Sequence, residues 1–232
     1  MLAMCSSQGM AAPTDRAETR GTMTTESAST LGDLRREAAS CRACPLWKAS
    51  TQTVFGEGPV GADIMFVGEQ PGDHEDLAGR PFVGPAGHLF DRALAEAGLD
   101  RAQVYVTNAV KHFKFEPRGK RRLHKRPNAG EISVCRRWLL GEIEAVRPQL
   151  MVALGATAAQ SLAGRPIGIQ ANRGVILHPE SGMKIFVTIH PSSLLRLRDE
   201  TDRKAAFGGL VRDLRQLSNS FRFRSCAGHE IK

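Results

Sequence analysis

Gly68-Glu69-Gln70-Pro71-Gly72-Asp73, running on to Arg80-Pro81-Phe82-Val83-Gly84-Pro85-Ala86-Gly87, is the stretch whose reading decides the fold. A short apolar run, Ile64-Met65-Phe66-Val67, precedes it, and an apolar-periodic helix follows it. That order puts it in the loop beyond the carboxyl end of a parallel strand, where α/β proteins bind their ligands. Eight glycines and prolines fall between Gly68 and Gly87, so the backbone there needs special geometry. Glu69, Gln70, Asp73 and His74 crowd acids, an amide and an imidazole into one turn, which suits either a reactive site or a scaffold turn.

Outward from this loop the chain alternates strands with helices. Strands are expected at 64–67, 104–108, 150–154 and 185–189, from short, largely apolar runs. Helices are expected from a Thr30 cap onward, over 85–97 with Gly98 ending it, over 128–146, from Gly155 to Leu162, and over 204–217. Such alternation gives a mostly parallel sheet covered on both faces. Three strands end in polar loops, at Glu69, Asn108 and His190. Parallel strands share one carboxyl edge, so those loops can meet in one cleft.

The 232 residues, 41% of them hydrophobic, suit one domain with loose ends. Residues 1–28 read as a disordered lead, with Met23 a second candidate start; 29–217 read as the domain, and 218–232 as a flexible tail. A formal charge of +8 and a pI near 9.7 lean toward a polyanionic partner, nucleic acid first. No run of eighteen apolar residues exists, so no membrane span is expected. The start, Met1-Leu2-Ala3-Met4-Cys5, lacks a signal peptide's basic region, so a reducing cytoplasm is the expected compartment. The five cysteines should then be free or metal-bound.

Cys41-Arg42-Ala43-Cys44-Pro45 can bring two sulfurs onto one metal, and Pro45 should stop any helical continuation. Zinc, an iron–sulfur cluster and a redox dithiol all use such a pair. Without a strand directly before it, the redox reading weakens. Cys135 is the one further cysteine outside the tails, so a fourth ligand would be a non-cysteine, with His112 the candidate.

Residues 111–126 hold eight Lys or Arg among sixteen residues, with Phe113 and Phe115 interleaved. So dense a run repels itself unless phosphates neutralise it, although a solvated surface loop has the same composition. Within it, Lys120-Arg121-Arg122-Leu123-His124 sets one imidazole among cations, which disfavour its protonation. His124 is then either a phosphate contact or a neutral nucleophile.

Taken together, Gly68-Glu69-Gln70-Pro71-Gly72, Pro81-Phe82-Val83-Gly84-Pro85-Ala86-Gly87, Val106-Thr107-Asn108, Leu154-Gly155-Ala156 and His190-Pro191-Ser192 resemble the iron–sulfur uracil-DNA glycosylases of the family 4 type. The resemblance runs from about Cys41 to Leu217. Within that family, Lys120-Arg121-Arg122-Leu123-His124 is similar to the signature insert of the X-type branch (UdgX), whose members bond covalently to the abasic sugar they create. The resemblance implies a three-layer α/β/α fold around a four-stranded parallel sheet. It implies a [4Fe–4S] cluster on Cys41, Cys44, His112 and Cys135, with His112 standing where the ordinary family 4 pattern has a cysteine, as in the X-type branch. Zinc at the same ligands is the alternative.

The same resemblance gives roles to the site residues. Phe82 would stack on a flipped uracil and Asn108 would pair with its edge. His190 would hydrogen-bond the departing uracil anion, and Glu69 would steady the sugar cation, orient a water or hold His124. His124 would attack C1′. Gln70 and Asp73 would shape the pocket floor, Arg196 would contact DNA, and Leu194 or Leu195 would fill the gap left by the base. The expected substrate is uracil in single-stranded or duplex DNA, acted on by a monomer without a membrane. An ordinary multi-turnover glycosylase and a non-catalytic uracil-binding module are the competing readings.

Overall fold

The computed structural model describes residues 30–180 and 182–220. The expected lead, Met23, Cys5 and Cys226, and the tail past residue 220 all lie outside the described residues.

Helix α1 (Leu31–Ala39) opens as expected on Thr30, whose hydroxyl accepts from the Asp33 N–H while the Asp33 carboxylate accepts from the Thr30 N–H. Pro45 opens a 3₁₀ turn (Pro45–Lys48) where the sequence leads one to expect a stop; its fixed φ suits a first helical position. Strand β1 (Ile64–Gly68) feeds a short helix α2 (Asp73–Ala78), then α3 (Pro85–Ala97), which ends on a left-handed Gly98. Strand β2 (Tyr105–Asn108) is followed by two strands inside the basic run, β3 (Phe115–Arg118) and β4 (Arg121–His124). Helix α4 (Ala129–Val146) starts on an Asn128 cap; β5 (Leu150–Leu154) and α5 (Ala156–Ala163) follow. A one-turn α6 (Ile169–Asn172), a two-residue β6 (Ile176–Leu177), β7 (Ile185–Thr188), a 3₁₀ turn (Pro191–Arg196) and α7 (Glu200–Ser220) complete the order. Helix α7 starts before the expected residue 204 and outlasts the expected end at 217.

The main sheet has the order β2-β1-β5-β7-β6. Its first four strands are parallel, as expected; β6 adds an antiparallel edge too short to show a strand pattern in sequence. Alternate residues face opposite layers. Ile64, Phe66, Val106, Val152 and Phe186 pack under α3 and α7, whereas Met65, Val67, Tyr105, Met151, Ala153 and Val187 pack under α4 and α5. This is the expected α/β/α sandwich.

The register aligns Gly68 with Asn108 and Leu154 with Thr188, so the carboxyl ends of all four parallel strands form one rim. The basic run, expected as a loop, is a hairpin pairing Phe115 with His124 and Arg118 with Arg121, with Gly119 in the left-handed region at φ +57°. Its charged residues and Pro117 gave no strand pattern to read.

Candidate active site

A cavity of about 800 Å³ opens on the rim, and Glu69, Gln70, Asp73, Phe82, Asn108, His124, His190 and Arg196 all line it. The eight residues singled out from sequence for chemistry or substrate therefore come together. Their spacing is tight. A Cβ at Gly68 would collide with Asn108 Oδ1 and sit 2.9 Å from Phe82 and 3.4 Å from His190 Nε2, so three candidate base contacts converge over a backbone that must lack a side chain.

Phe82 takes a left-handed backbone, φ +58°, which costs energy for an aromatic residue. Two devices hold it. The buried Glu75 carboxylate accepts from the Gly72 N–H (3.1 Å) and the Gly84 N–H (2.7 Å), stapling the two ends of the loop. Gly87 supplies the second, because any Cβ there would strike the Phe82 carbonyl. The Phe82 ring lies 5.1 Å from Phe90 and 6.3 Å from His190, near-parallel to the latter at 27°.

Asn108 is 3% exposed. Its carbonyl accepts from Lys111 Nζ (2.7 Å), and that ammonium also meets Glu142 Oε2 at 2.5 Å in an ion pair with no exposure on either side. Glu142 further accepts from the Gly56 N–H, the Tyr105 hydroxyl and the Thr107 hydroxyl. Sequence reading missed this network, since neither residue stands in a recognisable motif.

His190 Nδ1 accepts from the Ser192 N–H at 3.1 Å, which leaves the proton of the neutral ring on Nε2, the His190 atom that comes closest to where a Gly68 side chain would stand. Burial, helped by His124 and Arg196, pushes its pKa down to about 4, so the ring is neutral at pH 7. Leu194 is fully buried and Leu195 is 48% exposed at the cavity, so only Leu195 is free to act as a wedge.

His124 reaches the cavity from the end of β4. Its Nε2 lies 3.5 Å from Glu69 Oε1. Burial lowers its pKa and Arg196 lowers it further, against the opposing pull of Glu69. The hairpin is held over the rim by single side chains. Gln70 Nε2 donates to the carbonyls of Lys114 and Lys125 and Gln70 Oε1 accepts from the Lys114 N–H, all at 3.1 Å, so its amide is spent on the hairpin. Arg122 stacks on Phe113 and Phe115 and pairs with Asp73 and with the buried Asp76 (2.6 Å), so Asp73 also grips the hairpin. Thr157 and Arg126, which also line the cavity, were not singled out. The strand-end rule that found Glu69, Asn108 and His190 applies equally to β5 and leads to Thr157.

The four candidate metal ligands lie apart from the cavity. Cys41, Cys44 and Cys135 share one apolar cluster with Leu46, Phe55 and Trp138. Burial raises the Cys44 thiol and pushes Cys135 up to about 11. Two of the sulfurs accept N–H bonds at 3.2 Å, Cys41 from Trp138 Nε1 and Cys135 from the Lys111 backbone, the outer support that thiolate centres use. His112 follows Lys111, but its Nε2 contacts the Thr53 hydroxyl at 3.0 Å. As placed, no three His, Cys, Asp or Glu side chains among the described residues are arranged to hold a metal ion. The three thiols have the donor chemistry of a thiolate-held group, but as placed they do not form its site, and the His112 ring is engaged with Thr53.

Comparison with known proteins bears on this geometry. Residues 55–215 match the model of the uracil DNA glycosylase superfamily. The chain is 42% identical over 165 residues to a type-4 uracil-DNA glycosylase of Thermotoga maritima, covering 71% of this chain and 82% of the relative. It is 38% identical over 180 residues to the type-4 enzyme of Archaeoglobus fulgidus (73% and 87%), and 33% identical over 186 residues to a type-5 uracil-DNA glycosylase of Pyrobaculum aerophilum (72% and 74%).

Proposed function

The chain belongs to the uracil DNA glycosylase superfamily, and from that premise we propose that it excises uracil from DNA and captures the resulting abasic sugar on His124. The observation that carries the capture is the meeting of His124 Nε2 with Glu69 Oε1, 3.5 Å apart, in the cavity that also holds Asn108 and His190.

The uridine leaves the stack and its base enters the cavity between Phe82 and the Asn108 amide, which offers a donor and an acceptor to the uracil edge. Arg196 contacts the DNA backbone and Leu195 fills the vacated stack. As the C1′–N1 bond breaks, its electron pair leaves on uracil, and His190 Nε2–H donates to the anion. A neutral ring donates without the acidity that would trap the anion early. Positive charge builds on the sugar beside Glu69. With Nε2–H of His124 toward Glu69, Nδ1 keeps its lone pair; it bonds to C1′, and the ring proton passes to Glu69. An N-substituted imidazole leaves poorly, so the adduct persists.

Cys41, Cys44, His112 and Cys135 are the residues that would hold a [4Fe–4S] cluster once their side chains are drawn together; such a cluster would be structural and would supply no step to hydrolysis. No helix among the described residues is long and apolar enough to cross a membrane. The proposal keeps the reading of the sequence: a monomer of one domain (29–217) acting on DNA in the cytoplasm.

An ordinary multi-turnover glycosylase is the second reading, favoured by the type-4 relatives; there a water replaces His124 at C1′. A denaturing gel with a uracil-containing oligonucleotide in excess separates the two. Capture gives a heat-stable shifted band and uracil release that stops near one per enzyme. Release far beyond that with no shifted band overturns capture, and no release at all overturns the enzyme.

A further inference from the structure

The fold gives the two oxygens of Glu69 different partners. Oε2 accepts from the Thr157 hydroxyl at 2.5 Å, whereas Oε1 faces His124 Nε2 at 3.5 Å. Thr157 stands in the first turn of α5 and is 1% exposed. Its hydroxyl proton is spent on Glu69, and its oxygen accepts from Arg126 Nε at 3.2 Å. Arg126 is two residues beyond His124, so the descending arm of the hairpin and the carboxylate are gripped by the same hydroxyl.

A carboxylate beside a developing sugar cation can take the proton of an attacking water or hold an imidazole in place. A carboxylate free to rotate offers either oxygen to water. Tied at Oε2, Glu69 is left with Oε1, and His124 stands against it. We infer that Thr157 is a positioning residue that commits Glu69 to His124, and thereby sets the partition between covalent capture and hydrolysis at C1′. This rests on the capture reading above.

Both routes break the C1′–N1 bond and send its electron pair out with uracil. In capture the imidazole pair forms the C1′–N bond and the ring proton passes to Glu69. In hydrolysis a water oxygen forms the C1′–O bond and one water proton passes to Glu69. Uracil released is the same in both, so adduct formed per uracil released reads the partition whatever the overall rate.

The test uses the full chain with a labelled uracil-containing oligonucleotide, counting free uracil and heat-stable shifted DNA for wild type, Thr157→Val and Thr157→Ser. Valine keeps the shape and removes the hydroxyl; serine restores it. The expected ratio is near one adduct per uracil for wild type. It falls at least about threefold in Thr157→Val, the scale of one lost hydrogen bond, with the deficit appearing as alkali-labile abasic DNA. Thr157→Ser returns most of it. A Thr157→Val ratio equal to wild type, even with a lowered Tm, overturns the inference, as does a serine variant no better than valine. Wild type that releases uracil without any adduct overturns the capture reading itself, and the inference falls with it.

Discussion

Two walls of one cavity are held by opposite physics. The strand-end wall, with Gly68, Asn108 and His190, is continuous with the core: β1 and β2 are buried along their length, and the Asn108 backbone is fixed by an ion pair that water does not reach. The hairpin wall is mostly exposed, and it stays in place through Gln70, Arg122, Lys114 and Arg126. The proposed recognition of the base thus rests on groups built into the core, whereas the proposed nucleophile is carried on an appendage. An appendage can be altered without unmaking the fold, and that is where divergent chemistry is cheapest to place.

The largest effect that tests this separation is loss of the imidazole. His124→Ser should abolish the shifted band completely while uracil release continues, because water enters the space the ring leaves. Folding should not change, since the side chain is 48% exposed. Disappearance of uracil release together with the adduct would mean that His124 acts before the bond is broken, and the two walls would not be separable.

On the strand-end wall, Lys111→Met should destabilise by about 3–5 kcal/mol, because it strands the Glu142 carboxylate without exposure. Thermal or denaturant unfolding measures this. Lys111→Met with Glu142→Gln should recover most of the loss, since no charge is then left unpaired. If the single variant is as stable as wild type, the strand-end wall is not held by its buried charges.

The sheet was readable because buried parallel strands write themselves as apolar runs, and 64–67 and 150–154 do so without ambiguity. The cavity followed, since strand ends must share a rim. What could not be read depends on side chains meeting across the chain. Glu142 lies within a helix whose neighbours give no hint that four donors converge on it. Gln70 was legible as a loop residue, but its service to Lys114 and Lys125 is a tertiary fact. The hairpin escaped because five of the eight residues of β3 and β4 are charged or proline, a composition that strands usually avoid.

His190 gives a somewhat smaller effect and a pH signature. His190→Ala should slow uracil release about 10²–10³-fold, roughly 2.7–4 kcal/mol of transition-state stabilisation. Its pKa falls to about 4 on folding, from an ordinary value near 6.5, chiefly through burial. Folding therefore favours the neutral ring, and its contribution is fully present above about pH 6.5 and is lost as pH falls toward 4. Tm followed between pH 7 and 4 should drop for wild type and flatten for His190→Ala. An equal drop in both would remove His190 from the account.

The smallest effects come from two guanidinium–carboxylate pairs with the same chemistry and different burial. Arg80 grips Glu57 with two bonds, at 2.7 and 3.1 Å, but the side chains are 64% and 38% exposed. Such pairs contribute about 0.2–1 kcal/mol, and salt screens them, so Arg80→Gln should shift Tm little and lose that shift at high ionic strength. Arg122 is 21% exposed and its partner Asp76 is 0% exposed, so Arg122→Gln leaves a buried carboxylate short of a donor, at about 1–3 kcal/mol. The Thr51 N–H still reaches Asp76, at 3.0 Å, which keeps the cost at the lower end of that range. Because Arg122 also stacks on Phe113 and Phe115, its loss should loosen the hairpin and cut adduct yield more than uracil release. If Arg80→Gln cuts adduct yield as much as Arg122→Gln, the hairpin is not held by its own clamp, and the contrast between the two walls fails.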